Sequence, residues 1–85
     1  MIETAWIGIW LGKNMALIRK RHGLTQEQFA EILNLTRQQV SNYECGNVRD
    51  PSHLVVKRLA EFSGIPIEKL TDGILKGEDL YVEDK

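Results

Sequence analysis

The chain has 85 residues, room for one domain with short extensions, and its 42% hydrophobic and 27% charged residues suit a modest core in water. Its one cysteine, Cys45, excludes an intrachain disulfide and fits a reducing compartment. The net charge of −1 excludes a uniformly basic surface, yet the charge is unevenly spread: residues 13–60 carry eight basic and four acidic side chains, and residues 61–85 three basic and seven acidic.

Residues 1–10 form an apolar N-terminal extension with Ile2, Trp6, Ile7, Ile9 and Trp10 and no basic side chain, a poor composition for a minor-groove arm. An extra helical turn packed on its own core is the first expectation for it, and a dimer contact the second. The apolar run Ala5 to Gly12 ends at Lys13 and Asn14, eight residues against the roughly 20 a membrane span needs. Met1 to Ile9 also lacks the basic start of a signal peptide, so a cytoplasmic protein is expected. Gly8 and Gly12 make a small-xxx-small pattern, which carries little meaning without a span.

Leu11, Met15 and Ile18 share one helical face. Arg19, Lys20, Arg21 and His22 crowd the last turn of that helix, and Gly23 stops it. Leu24-Thr25-Gln26-Glu27-Gln28-Phe29 then reads as a new start: Thr25 caps, Gln28 completes a capping box, and Leu24 staples to Phe29. Phe29, Ile32 and Leu33 continue the buried face, and Asn34 suits a left-handed end.

The same grammar returns in Leu35-Thr36-Arg37-Gln38-Gln39-Val40. Two starts eleven residues apart leave a helix of two turns and a link of about three residues, the spacing of a helix-turn-helix. Beyond it, Asp50 is placed to cap a fourth helix with Pro51 at its first position, Leu54, Val55, Leu59 and Phe62 on its inner face and Gly64 at its end. Pro66 to Leu70 reads as a fifth, ending near Gly73. The fold class is all-α, a compact five-helix bundle.

Over residues 36–44, Val40 and Tyr43 anchor the helix while Arg37, Gln38, Ser41 and Asn42 occupy the other half. A solvated face would carry Lys/Glu pairs. This one offers a guanidinium fork, amides and a hydroxyl, groups that match base edges in a major groove, arginine to guanine and Asn or Gln to adenine. Thr25, Gln26 and the free N–H groups at the preceding helix start make a phosphate seat.

Taken together, LGKNMALIRKRHGLTQEQFAEILNLTRQQVSNYECG, the Pro51-Ser52 helix start and the closing IPIEKLTDG resemble the Cro/phage-repressor (XRE) helix-turn-helix family of DNA-binding regulators, from Leu11 to Gly73. The resemblance implies a five-helix DNA-binding domain over residues 11–73, flanked by the extension 1–10 and an acidic C-terminal tail 74–85. It implies base contacts from Arg37, Gln38 and Asn42, with Ser41 and Gln39 as further candidates. Thr25, Gln26, Asn47 and Arg49 would meet phosphates, and Arg19 would pair with Glu44. Where family members place several basic residues after the recognition helix, Cys45 to Asp50 has Arg49 alone, so non-specific affinity should be modest and salt-sensitive.

The implied function is sequence-specific binding of double-stranded DNA by a transcriptional regulator, a repressor that occludes a promoter. Each bidentate contact discriminates by ~1–3 kcal/mol, and three per subunit barely reach the roughly 8 kcal/mol needed to select one site among about a million. A homodimer on a palindromic operator is therefore expected. The alternative is a protein-binding module, such as the antitoxin of a toxin–antitoxin pair, holding a partner through residues 1–10 or 74–85. Asp79 to Glu83 alternates like a strand that could pair with residues 1–10 or stay disordered. No enzyme, cofactor or metal motif is found; Cys45, His22 and His53 lack metal-ligand spacing.

Overall fold

The computed structural model describes the backbone of residues 2–76 and the side chains of residues 8–76. Five helices follow one another: α1 (Ile2–Arg21), α2 (Gln26–Leu33), α3 (Arg37–Glu44), α4 (His53–Ser63) and α5 (Ile67–Thr71). Among the described residues there is no strand. The first helix packs on α3 and α5, α2 on α3 and α4, and α4 on α5.

The punctuation of the chain is chemical, and it is used three times. Helix α1 ends with Gly23 at φ +68, and the Leu24 N–H reaches back to the Arg19 carbonyl at 3.1 Å. Helix α2 ends with Asn34 at φ 59, and the Leu35 N–H returns to Ala30 O at 2.8 Å. Helix α3 ends with Gly46 at φ +79, and the Asn47 N–H returns to Asn42 O at 3.0 Å. Each left-handed residue lets the next N–H satisfy an orphan carbonyl, the Schellman arrangement. Leu24 and Leu35 are partly buried against the core by those turns, and Thr25 and Thr36 follow them as helix caps. Stop and start are one unit.

Leu11, Met15, Ile18, Phe29, Leu33, Val40, Leu59 and Leu70 are fully buried and join Tyr43, Val55, Val56, Ile65 and Leu75 in one core. Two residues expected inside are not there. Ile32 is 40% exposed and Leu54 is 50% exposed. In α2 the buried arc is Phe29, Leu33 and Ala30, which leaves Ile32 roughly 100° from its centre. In α4 Val56 takes the place expected for Leu54, which the wheel puts about 140° from the arc of Val55, Val56 and Leu59.

The start of α4 also departs from expectation. Ser52, not Asp50, is the N-cap, and no side chain caps the helix. The Ser52 N–H donates to the Tyr43 hydroxyl at 3.2 Å, and Ser52 stays extended at φ −63, ψ 133. Asp50 and Pro51 thus lie in the turn before the helix.

Asn14 is the one buried polar side chain of the described core. Its Nδ2 donates to Leu70 O and Gly73 O at 2.8 Å each, and its Oδ1 accepts from the Leu75 N–H at 2.8 Å. It clips the segment after α5 onto α1. Helix α1 itself runs unbroken through residue 10, so residues 2–10 offer no strand edge to pair with. The segment Asp79 to Glu83 lies outside the described residues.

Candidate nucleic-acid interface

Thr36 caps α3 by accepting the Gln39 N–H at 3.1 Å, while Gln39 Oε1 accepts the Thr36 N–H at 2.8 Å. Gln39 therefore spends its carbonyl on the cap, which weakens its case as a base reader. Val40 and Tyr43 fasten the inner side of the helix. On the outer side Arg37 and Gln38 are exposed and Ser41 and Asn42 half-buried. Gln38 Nε2 donates to Asn42 Oδ1 at 3.2 Å, so these two amides form a single polar unit one turn long. Arg37, Gln38 and Asn42 are brought to one accessible face.

The start of α2 is built alike. The Thr25 hydroxyl oxygen accepts the Gln28 N–H at 3.1 Å, and Gln28 Oε1 accepts the Thr25 N–H at 2.9 Å. Thr25 is exposed, so its hydroxyl proton remains available to a phosphate oxygen. Glu27 is exposed in the same first turn, where it favours the helix dipole and opposes a phosphate. Gln26 is tethered: its Nε2 donates to Glu44 Oε1 at 3.0 Å.

Glu44 is the hub of this corner. Arg19 Nε donates to its Oε2 at 2.7 Å and Arg19 Nη2 to its Oε1 at 3.1 Å, a bidentate pair with the side chains only 15% and 8% exposed. Arg19 Nη1 also donates to Leu24 O at 2.9 Å. The Glu44 carboxylate so joins the ends of α1 and α3 and the start of α2, and Arg19 carries the connection on to the α1–α2 link. The spacing between the two helices of the motif is held by charge as well as by packing. No residue pattern in the sequence foretold the Gln26 contact, because it joins positions 18 apart.

Asn47 and Arg49 are exposed in the loop that follows α3, and Cys45 is exposed at its C-cap. Two capped helices with a three-residue link, an exposed amide–guanidinium face and a charged hub across the corner are together a helix-turn-helix. A family model described as helix-turn-helix matches residues 15–70. The chain belongs to the XRE-type helix-turn-helix family of DNA-binding regulators.

That XRE membership covers the last third of α1, all of α2, α3 and α4 and most of α5. One relative is the antitoxin PezA of Streptococcus pneumoniae serotype 4 (strain ATCC BAA-334 / TIGR4), 40% identical over 45 residues. The match takes in 53% of this chain and 28% of that longer protein. No solved structure matches the XRE chain significantly. Among the described residues, no helix is long and apolar enough to cross a membrane.

Proposed function

We propose that this protein is a sequence-specific transcriptional repressor that binds a palindromic operator as a symmetric homodimer, with α3 in the major groove. One observation carries the reading: Arg37, Gln38 and Asn42 share the solvent side of a helix whose opposite side is locked into the core. In the groove Arg37 pairs with guanine, and the Gln38–Asn42 unit presents a carbonyl acceptor beside an amide donor, the complement of adenine N6 and N7. Ser41 and Gln39 flank these contacts. Thr25 and Gln26 seat one phosphate at the start of α2, and Asn47 and Arg49 hold the backbone beyond α3. Each subunit reads one half-site, and the half-sites lie one helical turn apart.

Selection of bound fragments from a random DNA pool tests this directly. An enriched inverted repeat with half-sites about 10 base pairs apart is expected. Recovery of fragments with no shared sequence, or one subunit per site in sedimentation, overturns it.

The antitoxin reading has one supporting observation, the 40% identity to PezA over 45 residues. In that case residues 1–10 or 74–85 hold a protein partner while α3 still contacts DNA. Co-purification of a stoichiometric partner that is lost on alanine substitution in those termini, with operator binding intact, would support it.

A further inference from the structure

Gly8 and Gly12 lie inside α1, where each glycine costs about 1 kcal/mol relative to alanine. Their neighbours explain them. A Cβ on Gly8 would overlap the Val48 carbonyl oxygen and come within 2.9 Å of Arg49 O. A Cβ on Gly12 would overlap Tyr43 O and come within 2.9 Å of its carbonyl carbon. The helix backbone therefore rests directly on the end of α3 and on the loop behind it, an approach only glycine permits. Ile9, from the same turn, lines a recess with Lys13, Glu44, Cys45 and Gly46.

The loop touched by Gly8 is the one that bears Asn47 and Arg49. It departs from its family in having a single basic residue, so its grip on a phosphate depends on where that one guanidinium is held. The start of α1 has no basic residue before Lys13. It also precedes the family-matched segment, which begins at residue 15.

We propose that Gly8 is a positioning residue for DNA binding: the first half of α1 is a backstop that fixes loop 46–49, and through it the phosphate contact of Arg49. The proposal rests on the DNA-binding reading above.

The test uses the full-length chain and the selected operator. Gly8→Ala pushes the loop off α1, and Ile9→Ala removes packing beneath Gly46 without adding a clash. Nuclear magnetic resonance of the free protein should show amide shifts of Gly8→Ala concentrated at residues 46–50. Operator binding should weaken by about three- to tenfold, and the log–log salt slope should fall by about 0.9, the loss of one phosphate contact. Base preference should stay unchanged. Arg49→Ala should lose the same slope, and the Gly8→Ala/Arg49→Ala pair should lose no more than either alone.

Wild-type affinity and slope in folded Gly8→Ala, or slope losses that add in the double variant, overturn the proposal. Should Gly8→Ala not fold, Ile9→Ala decides: a shallower slope supports the backstop and an unaltered one rejects it. If the unaltered protein binds no DNA, the functional reading fails instead, while loop amides 46–50 left unshifted by Gly8→Ala would separately reject the backstop.

Discussion

The starts of α2 and α3 are two copies of one local design put to different uses. Both have a left-handed residue, a leucine, a threonine cap and a glutamine that closes the capping box. They differ in the residue after the cap and in charge. Gln26 is half-buried and bonded to Glu44, whereas Arg37 is exposed. The first turn of α2 contains Glu27, and that of α3 contains no acid. Local sequence makes two helices, and the tether and the charge then divide the work. The first helix is held in place and steadies the corner. The second keeps its outer face open to solvent, with no acid in its first turn.

Substitutions that fall unequally on the two starts sharpen this contrast. Replacing Arg37, Gln38 and Asn42 together by alanine should remove roughly 2–6 kcal/mol per subunit of discrimination between operator and random DNA. Thermal melting of that variant should stay close to the parent, since none of the three supports the core. A collapse of the fold would mean the outer face of α3 has been misassigned.

Next in size is Glu44→Ala, which leaves the Arg19 guanidinium partly buried with no carboxylate. Urea unfolding should report a loss of about 3 kcal/mol, and DNA affinity should drop because Gln26 and the corner are released together. A loss within the scatter of surface mutations would show that packing alone sets the two-helix angle.

The caps give the most direct comparison. Thr25→Ala and Thr36→Ala should each cost about 1 kcal/mol of stability. Only Thr25→Ala should also weaken binding to operator and random DNA by the same factor, the mark of a lost phosphate contact. Equal binding losses from both would erase the distinction between a seat and a reader.

The smallest effect is expected from Glu27→Gln. Removing an exposed acid beside a phosphate should raise affinity for any DNA by about two- to threefold at low salt, a gain that fades as screening increases. Affinity lowered by this change would place the backbone away from the start of α2.

Much of the local structure was legible because its determinants lie within a few residues of one another. The paired capping boxes depend on positions i and i+3, and the left-handed stops on a single glycine or asparagine. Thr25 with Gln28, Thr36 with Gln39, Asn34 and Gly23 could all be read in the linear chain. The outward side of α3 was legible too, since Val40 and Tyr43 define the inner half by helical period alone. Reading Ile32 and Leu54 as core failed for a related reason: period identifies a face, but the neighbours decide how wide an arc they cover.

What the sequence determined by itself is the set of helices, the paired ends and starts around α2 and α3, and the polar side chains carried on α3. These follow from short-range hydrogen bonding and steric preference, which need no partner element. Only the tertiary structure decided that Asn14 belongs in the core, that Ser52 rather than Asp50 begins α4, and that Gln26 joins the Arg19–Glu44 pair, which the family resemblance had already implied. It also gave Gly8 and Gly12 a role, because a missing Cβ has meaning only when another backbone occupies the space. Each of these depends on groups far apart in the chain meeting in space, and one-dimensional spacing holds no record of that meeting.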